Sequence, residues 1–222
     1  MKEKSEKETT LPLFPLKEVV LFPGMNLPLH IFEDKYKKLI SYCMENKKHF
    51  GIVYSRGNLC AEVGTIAHII DTEKLEDGKM NILTEGKSRF KIVRFVNEVP
   101  YHEALITSYE DKETDPTENI ERKISEIRKL SQEALKIFDE ISDQELSKKI
   151  ALPFDNNELI FLVAANLECS YEAKQTILES RSLKDRSKKV LKLLKEEIKR
   201  LEIMRENKET KEHVTKNGKL KI

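Results

Sequence analysis

The chain has 222 residues, of which 39% are hydrophobic and 36% are charged, and its formal net charge is +1. This length suits one large domain or two small ones, and a charge near zero does not point to a nucleic-acid partner. The longest apolar run, residues 159–165, is too short to span a bilayer, and the charged start of the chain leads into no apolar signal segment. We therefore expect a cytosolic protein that does not contact a membrane.

The residue types that carry chemistry are scattered along the sequence. Cys43, Cys60 and Cys169 form no CxxC pair and the histidines do not cluster, so no disulfide framework and no metal site are predicted. The nucleophile elbow of serine hydrolases and the HExxH helix of zinc proteases are both missing. We predict no catalytic residues and no cofactor.

Gly86-Lys87-Ser88 matches only the end of a phosphate-binding P-loop. The motif needs a glycine where Asn81 stands, and it needs a helix to follow because the phosphates bind at the helix N-terminus. The residues that follow, RFKIVRFV, instead alternate as in a strand. We therefore interpret the fragment as part of a strand.

The first part of the chain, residues 11–112, is patterned as short strands around one helix. Prolines at positions 12, 15, 23 and 28 break its start into short extended pieces. Asp34 is the expected cap of a helix whose apolar residues recur at i, i+3, i+4, i+7 and i+8. These residues are Tyr36, Leu39, Ile40, Cys43 and Met44.

Further strands are predicted at residues 50–54, 63–71, 80–85, 89–96 and 101–109. Asp77-Gly78 is typical of a type I′ hairpin turn, in which both central residues need a positive φ. Several short strands with this spacing indicate a curled, barrel-like sheet.

The second part, residues 113–205, is divided by signals for helix N-termini. Residues 115–118, Asp155, Ser170 and Ser182 each precede a helical pattern. The first of these helices carries an apolar stripe formed by Ile120, Ile124, Ile127, Ala134, Phe138 and Ile141. We predict four helices packed as a bundle, and hence an α+β fold in which a β-rich part precedes a helical part. Residues 1–10 and 206–222 lack apolar periodicity and are predicted to be disordered tails.

Several segments, in order, resemble a known family. They are LPLFPLKEVVLFPGMNLPLHIFEDKYKKLI at residues 11–40, Glu62-Val63-Gly64-Thr65, NILTEGKSRFKI at residues 81–92, and ELIFLVAANL at residues 158–167. Their order and spacing resemble the N-terminal substrate-recognition domain of Lon proteases. The resemblance implies a β-rich subdomain followed by a helical one, binding of unfolded or partner polypeptides, and self-association.

In complete Lon proteases this domain is followed by an ATPase and a Ser-Lys protease, and no segment here resembles either. We therefore expect a protein-binding module and not an enzyme, without a small-molecule substrate. The candidate polypeptide-binding residues are Phe22, Met25, Leu27 and Leu29, because they flank a proline-interrupted turn that can leave apolar side chains exposed. The alternative is that these side chains fill the core, which is the commoner place for apolar residues.

Two other functions compete with this reading. One is an adaptor for a single partner, as in eukaryotic proteins that carry a Lon-like domain within ligase complexes. The other is nucleic-acid binding through a basic cluster on the last helix, although such a run is usually a solvated helix face. That cluster comprises Lys184, Arg186, Lys188, Lys189, Lys192 and Lys195.

Overall fold

The structure is a computed structural model that describes residues 8–57, 59–112 and 118–218; for residues 118, 119 and 211–218 it describes the backbone only. Its strands are β1 (Thr9–Leu16), β2 (Asn26–Ile31), β3 (Phe50–Arg56), β4 (Leu59–Cys60), β5 (Val63–Lys74), β6 (Met80–Asn97) and β7 (His102–Ser108). Its helices are α1 (Asp34–Glu45), α2 (Glu118–Ser142), α3 (Leu146–Lys149), α4 (Asn156–Asn166), α5 (Tyr171–Leu178) and α6 (Leu183–Gly218). The predicted α+β class is confirmed.

The strands form one sheet that closes on itself. Neighbouring strands follow the order β1-β7-β6-β5-β3-β4, and β1 also pairs with β3. The β1–β3 pairing is parallel and every other pairing is antiparallel. Because β1 and β3 are joined, strands β1, β7, β6, β5 and β3 form a closed ring, which confirms the predicted barrel-like sheet. Among the described strands, β2 pairs with β6 alone.

The two strands predicted at residues 80–85 and 89–96 are a single strand, β6. Its first part pairs with β2 and its last part with β7, while β5 runs along most of its length. Register shifts near Thr65 and Ile92 let this long strand bend around the barrel. At Gly64 the strands lie so close that a Cβ atom would be 2.5 Å from the carbonyl oxygen of Ile52 and 2.7 Å from the ring of Phe90.

Helix α1 buries the face that its periodicity predicts, with Leu39, Ile40 and Cys43 in the core. The predicted cap differs, because the helix already begins at Asp34 and the capping position, Glu33, makes no side-chain hydrogen bond. The predicted turn conformation is confirmed, since φ is 59° at Asp77 and 68° at Gly78.

The chain divides into two compact units; the first change of unit falls one residue from the predicted boundary at residues 112 and 113, and residues 169–182 then belong again to the first unit. The first unit comprises residues 1–113 and 169–182, and the second comprises residues 114–168 and 183–222. Helix α5 therefore belongs to the first unit, while α2, α3, α4 and α6 make up the described helices of the second. The sequence predicts a bundle that includes α5, and it does not predict α3.

Two of the predicted caps are present. The Asp155 carboxylate accepts hydrogen bonds from the backbone N–H groups of Asn157 and Glu158, at the start of α4. The Ser170 hydroxyl accepts one from the N–H of Ala173, at the start of α5. The cap predicted at residues 115–118 falls largely outside the described residues.

The predicted tails at residues 1–10 and 206–222 lie partly outside the described residues, and they differ from the structure where it describes them. Strand β1 already includes residues 9 and 10, and α6 continues through residues 206–218. Lysine and glutamate favour helix even without apolar periodicity. Within the second unit this extension is held by ion pairs, 3.1 Å between Arg205 and Glu140 and 2.9 Å between Lys208 and Asp143.

Candidate functional site

The four residues predicted to bind polypeptides do not form one exposed surface in the structure. Phe22 is completely buried, and it passes so close to β6 that a Cβ atom on Gly86 would lie 2.4 Å from its carbonyl oxygen. Met25, Leu27 and Leu29 are half-buried and pack against the core between α1 and the sheet. Leu29 is the one of the four that lines a large surface groove.

This groove has a volume of about 940 Å³ and lies entirely on the first unit. It is formed by the end of β1, by β2 and the residues after it, by residues 55, 57, 59 and 60, and by the ends of β6 and β7 where they meet. We call it the β2 groove and define it by Leu16, Leu29, Phe32, Tyr36, Leu59, Phe95 and His102.

Large apolar side chains stand at the rim of the β2 groove. The exposed fraction is 57% for Phe32, 78% for Leu59 and 43% for Phe95. One wall is rigid, because the rings of Phe14 and Tyr36 stack with centroids 3.9 Å apart. Exposed aromatic and aliphatic side chains gathered at one concave surface are typical of a binding site for apolar groups.

Polar groups are interspersed with these apolar side chains. Lys35 lies 3.2 Å from the Glu33 carboxylate and 4.6 Å from the centre of the Tyr36 ring. Although partial burial opposes it, the hydrogen bond to Glu33 and the neighbouring Tyr36 raise the pKa of Lys35. Burial raises the pKa of Tyr36. The groove therefore keeps a cation and a phenol hydroxyl beside its apolar rim at neutral pH.

His102 adds a polar atom at the other end of the β2 groove. Its Nδ1 is buried and has no hydrogen-bond partner among the described residues, while its ring meets that of Phe95 edge-on at 6.1 Å. A buried ring nitrogen can donate or accept a hydrogen bond, depending on the tautomer. Because this nitrogen is buried, it lies beneath the surface of the groove and is not itself a contact for a ligand there.

Strand β2 also offers backbone groups. It is paired on one side with β6, and the described residues include no strand on its other side. Pro28 lies within it, at a position that proline tolerates only in edge strands. On its exposed face the His30 Nδ1 lies 2.7 Å from Asn81 Oδ1, which fixes the ring next to Phe32. The edge of β2 can therefore pair with an extended chain.

The fragments that imitate chemical sites have structural roles. Gly86-Lys87-Ser88 lies inside β6 and not at a helix N-terminus, with Lys87 2.5 Å from Glu85. Burial raises the pKa of the Cys43 thiol to about 12, although Lys48 opposes the shift, so the thiol is unreactive at neutral pH. The described residues contain no group of three or more side chains suited to hold a metal ion.

The basic cluster of α6 is smaller than its sequence indicates. Arg186 is completely buried in the second unit, where it bonds to the side-chain oxygen of Asn157 and lies 4.9 Å from the ring centre of Phe161. Lys195 is engaged with Glu126 at 2.6 Å. Lys184, Lys188 and Lys192 are exposed, as on the solvated helix face that such a run usually forms. No helix in the described ranges is long and apolar enough to cross a membrane.

Comparison with known proteins identifies the family. The family model described as the ATP-dependent protease La (LON) substrate-binding domain matches residues 10–196. The chain belongs to the Lon substrate-binding domain family. It is 32% identical over 202 residues to Lon protease 2 of Myxococcus xanthus and to the Lon protease of Anaeromyxobacter dehalogenans. Each match covers 86% of this chain and 24% of the relative. The chain thus spans about a quarter of the length of these Lon proteases.

Solved structures of Lon N-terminal domains share the fold. The Lon N-terminal domain protein from Xanthomonas campestris superposes with a TM-score of 0.63 at 21% identity, over 82% of this chain and 97% of that one. The N-terminal domain of the Lon protease from the Mycobacterium avium complex gives a TM-score of 0.67 at 16% identity, over 84% and 98%. The matches to Lon proteins lie in the substrate-binding domain.

Proposed function

We propose that this chain binds extended, non-native polypeptides in the β2 groove and performs no chemical step of its own. The observation that carries the proposal is the rim of the groove, where Phe32, Leu59 and Phe95 are all exposed around one concave surface. The family's substrate-binding domain points in the same direction.

Unfolded chains share two features that a binding site can use, apolar side chains and unpaired backbone groups. The rim of the β2 groove can contact the apolar side chains of an unfolded chain. The free edge of β2 can bind its backbone groups, because an extended segment can add there as a further strand. A formal net charge of +1 gives the chain no strong field that would select clients of one charge. This combination favours broad recognition.

The remaining expectations are retained as predictions. An adaptor role for one specific partner is the alternative, since a groove of this kind also accepts a single defined segment. Self-association, a cytosolic location and the absence of catalysis stay predictions. Nucleic-acid binding has less support than the sequence indicated, because the structure removes Arg186 from the basic cluster.

The test is a binding titration with a fluorescently labelled, reduced and carboxymethylated lactalbumin as the unfolded client. Phe32→Ser combined with Leu59→Ser removes two exposed rim side chains and should leave the fold intact. We expect the dissociation constant to rise by about tenfold or more, as for central apolar contacts in other interfaces.

The matched control is Ile70→Ser combined with Phe154→Ser, which removes two exposed apolar side chains outside the groove. This variant should bind the client as tightly as the parent chain. Equal weakening by both pairs would mean that the client adheres to any apolar surface. Failure of two unrelated unfolded clients to bind at all would favour the adaptor alternative.

A further inference from the structure

Two histidines meet on a part of the first unit that lies outside the β2 groove. His49 immediately precedes β3, and the first residue of that strand, Phe50, pairs with Ala67 of β5. Extending this antiparallel register by one residue places His49 opposite His68. Opposite residues on neighbouring strands project from the same face of the sheet. The sequence does not reveal this pair, because the two histidines come together only through the pairing of β3 with β5.

The two imidazole rings are stacked and accessible. Their centroids lie 3.5 Å apart and their planes differ by 16°. His49 is exposed and His68 is half-buried, and the ring nitrogens of His68 are not sealed from solvent. Neither ring has a hydrogen-bond or ion-pair partner among the described residues. The pair therefore presents unbonded ring nitrogens side by side, at a point that a solute can reach.

Charged side chains surround the histidine pair. The pair lines a pocket of about 480 Å³, together with Lys47, Lys48 and Asp71, and none of the pocket's lining residues belongs to the lining of the β2 groove. The Lys48 ammonium is held by the Tyr42 hydroxyl at 2.6 Å. The two ammonium groups oppose the binding of a cation and the Asp71 carboxylate favours it, so the imidazoles must supply the affinity for any metal ion.

We propose that His49 and His68 together bind one divalent transition-metal ion of the late first-row series, which imidazole favours, with Cu²⁺ bound most tightly. Opposite strand positions hold Cβ atoms about 4.5–5.5 Å apart, and a metal–imidazole bond is about 2.0–2.1 Å long, so both rings can reach one ion. The second side-chain torsion of histidine is broad, which lets each stacked ring turn a nitrogen toward that ion. The described residues offer no group of three ligating side chains, so water completes the coordination. The bound ion joins β3 to β5 and stabilises the barrel against unfolding.

The test uses the full chain without an affinity tag, and the probe is Cu²⁺–iminodiacetate. Because the chelator already occupies part of the copper coordination sphere, this probe binds tightly only where two imidazoles meet. We expect one probe per chain, electron spin-echo modulation from two imidazole rings, and a higher melting temperature in the presence of the probe. His49→Gln and His68→Gln should each weaken binding about tenfold or more, because loss of a ligand costs at least as much as loss of a group that supports a ligand.

His30→Gln is the matched control, since it removes an exposed histidine of the same unit whose ring is bonded to Asn81 at 2.7 Å. It should leave probe binding unchanged. Lys47→Gln removes one positive charge from the pocket and should tighten probe binding about twofold. The proposal is overturned if the probe does not saturate one site, if His30→Gln weakens binding as much as His68→Gln, or if Lys47→Gln weakens it. It is also overturned if each single variant of the pair keeps half of the bound copper, because the two histidines would then bind independently.

Discussion

Arg89 offers the sharpest test of how the first unit is assembled. Its side chain rises from β6 and is almost completely buried. The guanidinium donates hydrogen bonds of 2.7 Å to the carbonyl oxygens of Leu178 and Ser180, and it forms an ion pair with Asp111. One side chain thus ties the end of α5 to the barrel, although the two lie about ninety residues apart in the sequence.

The expected effect of Arg89→Met follows from these contacts. The substitution keeps the apolar stem but removes the guanidinium donor shared by two carbonyl oxygens and one carboxylate. Removing one partner of a buried ion pair costs about 3–5 kcal/mol, since the other charge remains partly buried. For a chain of this length that corresponds to a fall in melting temperature of roughly 10–15 °C.

The measurement is urea and thermal unfolding of Arg89→Met beside Arg56→Met. Arg56 is the matched control, because it also pairs with a carboxylate in the first unit, Glu172 at 3.4 Å, but is largely exposed. Exposed pairs contribute about 1 kcal/mol or less. If the two variants were equally stable, Arg89 would not be the residue that fastens α5 to the barrel.

Three further outcomes are expected from single changes. Gly64→Ala should lower the melting temperature by several degrees, as its Cβ would meet backbone at 2.5 Å. Burial and the neighbouring His68 lower the pKa of His49, so the unfolded chain binds a proton more readily than the folded chain. The stability should therefore fall as the pH drops below about 6.5. His68→Gln should flatten that fall in a pH series of thermal melts. Although burial opposes the shift, hydrogen bonds from Ser147 and Leu146 lower the pKa of the Asp139 carboxyl group. The stability that the Asp139 carboxylate contributes is therefore present above the ordinary carboxyl pKa and is lost as acid protonates the carboxylate. Asp139→Asn should remove that acid dependence and speed amide hydrogen exchange in α3 at neutral pH.

Local physics explains which elements could be predicted from the sequence. The caps at Asp155 and Ser170 depend on side chains that bond within three residues, and the positive φ at Asp77 and Gly78 depends on the residue types themselves. The buried face of α1 follows from a periodicity within twelve residues. In each case the residues that decide the structure are neighbours in the chain.

Features that depend on distant contacts could not be predicted in the same way. Helix α5 has the same amphipathic pattern as a bundle helix, and only its long-range bonds assign it to the barrel unit. Besides the contacts of Arg89, the Gln175 amide donates to the carbonyl oxygen of Val63 at 2.9 Å. The Tyr109 hydroxyl donates to the carbonyl oxygen of Glu179 at 2.8 Å. A periodicity shows that a face is buried but not what buries it.

Because sequence patterns do not show what buries an apolar side chain, the candidate binding residues differ from those predicted. Phe22 and Phe32 are both phenylalanines beside short extended segments, yet Phe22 is completely buried and Phe32 is largely exposed. In α2, Phe138 continues the apolar stripe but stands partly exposed, while Ile137 beside it is buried. Apolar side chains at a binding surface are made of the same residue types as the core, so only the tertiary fold distinguishes them. For the proposed binding of apolar groups, the position of each side chain and not its type therefore carries the information.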